Sequence, residues 1–341
     1  MPERRGFSPE RLSSKRPAEI VQQLLSNNME DQAKGFTQIR VVGVGGAGGN
    51  TVNRMIESGV HGIDYIAVNS DQQALQKSQA KRKIAIGGRL TRGLGTGGNP
   101  RLGLRAAELD TEALEAAIDG SDMVFVTAGM GGGTGTGAAP FIARMARERH
   151  ALTVGVVTRP FQFEGRRRMD VANEGIEALG NEVDSLIVIA NERLLEVAPA
   201  SSNLLDAFQL ADEVLHEGIS GVANLIITPG LINLDFADIN AVMAHGGSAL
   251  MAIGRGTGDN RSRTAALAAM ESPLLEGSVA GAKGILLNVT GGPDMTLHEV
   301  QELVETVTSA ITGEANVVVG ASMHPKLSGE IRLTLIATGL G

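Results

Sequence analysis

The sequence lacks cysteine and tryptophan, and aromatic residues make up only 3% of its 341 positions. Without cysteine there is no disulfide scaffold, no thiol nucleophile and no metal site with thiolate ligands. No apolar run approaches the roughly 20 residues that a membrane-spanning helix needs, and the N-terminus, MPERRGFSPE, is not a secretory signal. A formal net charge of -8 disfavours a general nucleic-acid-binding protein. We therefore expect a cytoplasmic protein that has no nucleic-acid partner and does not insert directly into a membrane.

Glycine, in contrast, is abundant. The chain has 45 glycines, nearly twice the average usage of about 7%. They follow no three-residue period, which excludes collagen, and 43% apolar residues provide enough surface for a hydrophobic core. At about 150 residues per domain, the length predicts two domains.

Residues 1–36 predict an N-terminal arm rather than a domain. Arginine and lysine outnumber the acidic residues at its start, and serine, asparagine and glutamine follow. This composition favours disorder. A short apolar segment at 20–25 leaves a docking or membrane-contacting helix as the alternative, although so short a helix is marginal in water.

Short, continuous, β-branched runs alternate with amphipathic segments over residues 37–200. Such runs are typical of strands that are buried on both faces, and the alternation predicts an α/β fold with a Rossmann-like, doubly wound parallel sheet. The predicted strands are 39–44, 63–68, 123–128, 152–158, 186–190 and, beyond this region, 225–228. The predicted helices are 48–58, 71–79, 101–119, 135–150 and 166–180.

A long connector helix is predicted over 201–224, with Ser201 or Ser202 as its cap. Residues 225–341 then predict a smaller α+β C-terminal domain with a mixed sheet. Its predicted strands are 249–253, 285–289, 316–322 and 331–338, and its predicted helices are 261–270 and 296–311.

The first glycine cluster, GVGGAGGN at 43–50, directly follows a predicted strand. It contains the dinucleotide fingerprint GxGxxG, and Asp71 follows the next strand at a suitable distance. A tight turn that leads into a helix N-terminus attracts phosphate, because its backbone N–H groups point outwards. Three interpretations remain open from this loop alone: a Rossmann oxidoreductase, another nucleotide-binding protein, or a structural turn.

Two further clusters, GLGTGGNP at 93–100 and GMGGGTGTG at 129–137, favour a phosphate chain over a dinucleotide. In an open parallel sheet the carboxyl ends of the strands converge on one crevice, so we expect these loops to lie together. The hydroxyls of Thr134 and Thr136 add donors. No Gly-Lys pair occurs, which excludes the Walker P-loop.

These motifs resemble the phosphate-binding signatures of the tubulin/FtsZ family of GTPases, and in particular its bacterial cell-division branch. GVGGAGGN, NSD at 69–71, GLGTGGNP, GMGGGTGTG and NLDFADI at 233–239 occur in the family's order, and the resemblance extends over about residues 38–340. It implies a cytoplasmic protein that binds GTP and GDP, hydrolyses GTP and polymerises into the division ring at mid-cell.

The resemblance also implies which residues contact the nucleotide. Glu164 and Arg168 match ribose contacts, and Asn191, Phe208 and Asp212 match guanine contacts. A carboxylate can accept two hydrogen bonds from a guanine edge, which adenine cannot donate. Without the resemblance, Phe208 fits the apolar stripe of a helix, and the three arginines at 166–168 fit the solvated face of a helix. The other implied nucleotide-binding residues are Gly46, Ala47, Gly48, Gly49, Asn50, Asn69, Asp71, Thr96, Gly97, Gly98, Asn99, Gly131, Gly132, Gly133, Thr134, Gly135 and Thr136.

The acidic loop at 230–239 is the implied catalytic element. In the family it enters the site of the next subunit, so Asn233, Asp235 and Asp238 would act in trans. Hydrolysis needs a group that orients water in line with the γ-phosphate, with Mg²⁺ bound through the phosphates. The spacing of Asp235 and Asp238 also fits an N-capping pair, which is the structural alternative.

The resemblance therefore predicts a head-to-tail homopolymer. Division proteins are further expected partners, but the family's C-terminal tether peptide is absent from a chain that ends at Gly341. No two of the six histidines have a ligand spacing, so no protein-ligated metal is predicted. Two alternatives stay open: a nicotinamide or flavin oxidoreductase, and a nucleotide-gated scaffold that polymerises without hydrolysis.

Overall fold

The computed structural model describes residues 37–197, 203–227, 230–232, 234–244 and 246–340. The predicted arm at 1–36, the predicted caps Ser201 and Ser202, and Asn233 lie outside these described residues. Residues from Gln38 to Gly341 form one compact unit.

Ten β-strands and twelve α-helices form within the described residues. The strands are β1 (Ile39–Val44), β2 (Ile63–Asn69), β3 (Arg82–Ala85), β4 (Met123–Gly129), β5 (Leu152–Arg159), β6 (Ser185–Ala190), β7 (Gly247–Thr257), β8 (Gly284–Gly291), β9 (Asn316–Met323) and β10 (Glu330–Thr338). The helices are α1 (Gly45–Glu57), α2 (Gln72–Lys77), α3 (Gly88–Thr91), α4 (Pro100–Leu109), α5 (Thr111–Ile118), α6 (Thr134–Glu148), α7 (Arg166–Gly180), α8 (Asn191–Val197), α9 (Leu204–Ile227), α10 (Phe236–Met243), α11 (Arg261–Met270) and α12 (Leu297–Thr308).

The strands form one sheet in the order β3-β2-β1-β4-β5-β6-β7-β10-β8-β9. The pairs from β3 to β7 are all parallel. β10 is antiparallel to both β7 and β8, and β8 is parallel to β9. The predicted parallel sheet and the predicted smaller mixed sheet are therefore both confirmed, and β7 joins them.

Helices cover both faces of the parallel part of the sheet. Along β1 the side chain of Val41 belongs to one core cluster and that of Val42 to another, because successive residues point to opposite faces. The first cluster includes residues of α1 and α9, and the second includes residues of α4 to α7. This burial on both faces explains the continuous apolar runs in the sequence.

The connector helix α9 continues to Ile227, so the predicted strand at 225–228 is wrong. Leu225 is buried in the same core cluster as Val222 and Ile219, which continues the helical period. A short apolar run does not distinguish the end of a buried helix from a strand. At the other end, Asn203 and Asp206 form a reciprocal cap with two 3.0 Å bonds from backbone N–H to side-chain oxygen.

One other prediction needs correction, and one strand was missed. The single helix predicted at 101–119 is two helices, which meet at Asp110; its Oδ2 accepts a 2.6 Å bond from the backbone N–H of Gly87. The short strand β3 was not predicted, because Ile84 is its one buried residue and its sequence is otherwise polar or small.

Two glycines of β7 allow the backbone of helix α11 to pack closely against this strand. A methyl group built on Gly254 would contact the backbone oxygen of Ala265, and one built on Gly256 would contact that of Arg261. No helix within the described residues has the length and apolar character to cross a membrane.

Candidate functional site

The N-termini of two helices meet at the carboxyl ends of β1 and β4. α1 begins at Gly45 and α6 begins at Thr134. A methyl group built on Gly45 would lie 3.0 Å from the amide nitrogen of Gly135, so the two helix ends touch. The first N–H groups of a helix have no acceptor within it, and the helix dipole adds positive potential there. The structure thus brings together the first and third glycine clusters, 43–50 and 129–137.

The loop that carries the second cluster joins them through buried hydroxyls. The Oγ of Ser70 lies 2.6 Å from the Oγ1 of Thr134, and the Oγ1 of Thr96 lies 3.3 Å from the same atom. The Oγ1 of Thr136 accepts a 2.9 Å bond from the N–H of Gly131 and so stabilises the loop of the third glycine cluster, 129–137. The three threonines were predicted from the sequence, but no role was predicted for Ser70, the middle residue of the NSD motif at 69–71.

The glycines of these loops have two different structural reasons. Gly48 and Gly133 are required by packing: a methyl group on Gly48 would lie 2.9 Å from the carbonyl carbon of Gly43, and one on Gly133 would lie 2.7 Å from the nitrogen of Asn99. The other group has no protein atom within 4 Å of such a methyl group. It comprises Gly46, Gly49, Gly97, Gly98 and Gly132. Gly97 and Gly98 have φ of 57° and 75°, which favours glycine by itself. Neither packing nor a positive φ explains Gly46, Gly49 and Gly132, which suits the close approach of a ligand there.

Two cavities lie along this edge of the sheet. One has a volume of about 290 Å³ and is lined by the first turns of α1 and by the end of β2, including Gly46, Gly49, Asn50, Asn69 and Asp71. The other has a volume of about 570 Å³ and is lined by Gly97, Gly98, Gly131, Gly132, Gly133, Glu164 and Arg168. Ala47 is half-buried beside Gly129, between them.

Three of the predicted polar residues also hold the loops in place. Asp71 caps α2, where its Oδ1 accepts a 2.8 Å bond from the N–H of Gln73. Asn99 caps α4 in the same way, through a 3.0 Å bond from Arg101. The Oδ1 of Asn69 accepts a 3.1 Å bond from the N–H of Asp71. Their sequence spacing therefore reflects local capping in addition to any contact with a ligand.

Asp212 and Asn191 are predicted site residues whose polar side chains have little exposure to solvent. The side chain of Asp212 is 14% exposed, and the Nε of Arg54 in α1 lies 3.8 Å from its Oδ2. Burial raises the pKa of Asp212 to about 6, and the nearby Arg54 opposes this rise. Asn191 is 5% exposed, and its Oδ1 has no hydrogen-bond partner among the described residues. A buried polar atom without a partner is costly, so it points to a missing ligand or water.

Phe208 belongs to an aromatic cluster rather than to the core. It is 38% exposed, and its ring meets those of Phe161 and Phe163 edge-on, at centroid distances of 5.4 and 6.5 Å. Glu164 connects to this cluster, because its Oε1 accepts a 2.9 Å bond from the N–H of Phe161. Arg168 pairs with Glu164 at 3.0 Å. The predicted ribose and base contacts are thus linked through Phe161.

The acidic loop lies at the opposite end of the sheet. Asp235 and Asp238 are exposed and form a reciprocal cap on α10, with bonds of 2.9 and 3.3 Å. Ile232 forms a bridge with Ala321 of β9, the last strand of the sheet. β9 is six strands away from β4, at whose carboxyl end the glycine loops meet. The capping alternative is therefore observed, and it leaves both carboxylates exposed to solvent.

Comparisons with known proteins agree over nearly the whole chain. The model of the tubulin/FtsZ family GTPase domain matches residues 38–199, and that of the FtsZ family C-terminal domain matches residues 247–341. An empty FtsZ dimer from M. jannaschii is 44% identical, with a TM-score of 0.87 over 98% of this chain and 93% of that chain. A mutant FtsZ from M. jannaschii is 45% identical, with a TM-score of 0.88 over 92% and 95%. GDP-bound CetZ1 from Haloferax volcanii shares the fold alone, at 21% identity and a TM-score of 0.77 over 89% and 95%.

Proposed function

We propose that this chain, which belongs to the tubulin/FtsZ family of GTPases, binds GTP at the edge of the sheet and hydrolyses it to GDP and phosphate. The observation that carries this proposal is the meeting of two helix N-termini with open glycines between them. Backbone N–H groups and hydroxyls there form a cradle for a chain of phosphates without a lysine.

The phosphates would lie on two backbone segments. The first comprises Gly46, Ala47, Gly48, Gly49 and Asn50, and the second comprises Gly131, Gly132, Gly133, Thr134, Gly135 and Thr136. Gly97 and Gly98 face the same space, and Thr96 bonds to Thr134. Mg²⁺ bound through the phosphates would neutralise the charge that develops on them. The phosphate oxygens would be the ligands of this Mg²⁺. Among the described residues no cluster of three or more His, Cys, Asp or Glu side chains offers another metal site.

Guanine would be read by Asp212 and Asn191. Ionised Asp212 can accept from two guanine N–H groups, and the unpartnered Oδ1 of Asn191 provides another acceptor. Phe208 offers an exposed ring face or edge for the base, while Glu164 and Arg168 lie where the ribose would follow.

Hydrolysis would be completed by a second subunit. Within one chain the acidic loop is remote from the cradle, so Asp235 and Asp238, together with Asn233, would orient water at a neighbour's γ-phosphate. Such a contact joins different surfaces of two identical subunits and therefore propagates into a filament. The related FtsZ from M. jannaschii, solved as a dimer, supports self-association. We further propose that these filaments form the division ring at mid-cell, in the cytoplasm.

Equilibrium dialysis against GTP, ATP and NAD tests the nucleotide proposal. The expected result is binding of GTP and GDP with little affinity for ATP or NAD. A preference for NAD would favour the oxidoreductase alternative, which the family comparisons do not favour. Binding and assembly without any phosphate release would favour the non-hydrolysing scaffold instead.

A further inference from the structure

Ser70 connects two of the loops of the proposed GTP site, the phosphate loop at 129–137 and the 93–98 loop. It follows β2 directly and is 2% exposed. Its Oγ lies 2.6 Å from the Oγ1 of Thr134 in the phosphate loop. Its backbone oxygen accepts bonds from the N–H of Gly95, at 3.2 Å, and from the Oγ1 of Thr91, at 3.3 Å. One residue therefore contacts the phosphate loop with its side chain and the 93–98 loop with its backbone.

The hydroxyl of Thr134 has two hydroxyl neighbours and a single hydrogen to donate. Thr134 is the first residue of α6, so its side chain lies at the helix N-terminus that faces the cradle. If this hydroxyl donates to a phosphate oxygen, it must accept from Ser70 at 2.6 Å, from Thr96 at 3.3 Å, or from both. A hydroxyl that accepts a hydrogen bond is polarised by it, and its own donated hydrogen bond becomes stronger. Ser70 has the shorter of the two contacts and is therefore the stronger influence.

The 93–98 loop is fixed to the same point. Asp71 and Leu94 form an antiparallel bridge, and the N–H of Gln72 donates a 3.0 Å bond to the backbone oxygen of Gly93. Ser70 lies between this bridge and the phosphate loop. A change at its side chain thus alters the link between the two loops without removing the bridge.

We propose that Ser70 is a positioning residue for the nucleotide phosphates. It sets the direction of the Thr134 hydroxyl and holds the phosphate loop and the 93–98 loop in one arrangement. This inference rests on the proposed GTP site, in which Ser70 itself has no assigned contact with the nucleotide.

The test compares Ser70→Ala with Ser185→Ala in the full chain. Ser185 is a matched control: it is fully buried, its Oγ donates one 2.7 Å bond to the backbone oxygen of Met243, and it lies outside the proposed site. Equilibrium dialysis then measures Kd for GTP, GDP and guanosine, and thermal unfolding measures stability.

We expect Ser70→Ala to raise the Kd of GTP and GDP by about three- to tenfold and to leave that of guanosine unchanged. Ser185→Ala should leave all three values unchanged despite a comparable loss of thermal stability. Equal affinities of Ser70→Ala and the unmodified chain for GTP would overturn the inference. An equal loss for guanosine would also overturn it, because the effect would then not act through phosphate. An unmodified chain without affinity for GTP would contradict the proposed function as well.

Discussion

Asp212 is the residue whose chemistry depends most directly on its surroundings. Burial raises its pKa to about 6, and the nearest cation, Arg54, only partly offsets the cost of the charge. In the proposed site guanine would need the ionised form, which can accept hydrogen bonds from its two N–H groups. A buried carboxylate without hydrogen-bond donors is energetically costly. A guanine that donates to it would remove this cost, whereas a base without these donors would not, so burial would favour guanine over other bases.

We predict that GTP affinity falls as the pH is lowered through about 6. Protonated Asp212 loses one acceptor and presents a donor instead, so Kd should rise by up to about tenfold per pH unit below that value. Isothermal titration between pH 5 and 8 measures this. Asp212→Asn should bind GTP weakly with a flat profile, whereas an equally steep profile in that variant would assign the pH dependence to another group.

The free energy of unfolding in the absence of nucleotide should depend on pH in the opposite sense to GTP affinity: the Asp212 contribution should increase as the pH is lowered. The folded pKa of Asp212, about 6, lies above its ordinary value of 3.8, so the fold binds more protons than the unfolded chain between these values. This contribution to stability is complete below pH 4 and is lost as the pH rises through 6; a difference of about 2 pH units corresponds to roughly 3 kcal/mol. Asp212→Asn should therefore be more stable than the unmodified chain at pH 7.5 but not at pH 4. Urea unfolding at both values checks this, and equal differences at the two would contradict it.

Gly49 tests whether the open glycines exist for a ligand. It lies inside α1, and a methyl group there meets no protein atom within 4 Å. Gly49→Ala should raise the free energy of unfolding by about 0.5 to 1 kcal/mol, because glycine weakens a helix interior, and should also weaken GTP binding. Urea unfolding and dialysis measure the two effects.

Gly180→Ala provides the matched control for Gly49. It ends α7, and a methyl group there would make an ordinary 3.5 Å contact with Leu186. This variant should leave GTP affinity unchanged. A Gly49→Ala chain that binds GTP as tightly as Gly180→Ala would mean that no phosphate approaches this turn.

At the scale of elements, the acidic loop has an observed role as a helix cap and a proposed role in hydrolysis, and one substitution can separate the two. Asp235 caps α10, and serine is an equally good cap without a carboxylate. Asp235→Ser should keep the stability and GTP affinity of the unmodified chain and lose GTP turnover. Asp235→Ala should lose turnover and in addition about 1 kcal/mol of stability. Phosphate release by the serine variant at the normal rate would reduce the loop to a helix cap.

Sequence patterns predicted elements well where the burial was continuous and poorly where tertiary contacts decided. β1 and α7 were predicted to the residue, since one is an unbroken β-branched run and the other has a clear helical period. The end of α9 was predicted wrongly, because Leu225 continues a buried helical stripe that reads equally well as a strand. The meeting of the glycine clusters could be predicted, because they follow predicted strands and the carboxyl ends of parallel strands lie at one edge of the sheet. Ser70 lies within the NSD motif at 69–71, but its contact with Thr134 could not be predicted, because the motif does not give the distance between the two hydroxyls.

At the scale of the whole molecule, the two proposed halves of the catalytic site lie at different ends of α9. This helix has 24 residues and is therefore about 36 Å long. Phe208 and Asp212 lie in its first half, and the acidic loop follows its last turn. The long connector helix was predicted from the sequence, and the structure extends it to Ile227 as one continuous helix.

The absence of native cysteine allows a direct test of head-to-tail contact. Leu94, 79% exposed, lies in the 93–98 loop of the proposed nucleotide site, and Leu231, 58% exposed, lies at the start of the acidic loop. Leu94→Cys combined with Leu231→Cys should give a ladder of disulfide-linked species on a non-reducing gel when GTP is present. Leu94→Cys combined with Leu297→Cys, at a position that is 76% exposed on α12, should not. Ladders of equal extent from both pairs would indicate random collision.

The rate of phosphate release per subunit, measured against protein concentration, tests the shared site most directly. If Asp235 and Asp238 serve a neighbour's nucleotide, isolated subunits hydrolyse GTP poorly, and the rate per subunit rises steeply once contacts form. We expect such a rise, together with its loss in Asp235→Ser. A rate per subunit that stays constant from dilute to concentrated protein would contradict hydrolysis at the interface.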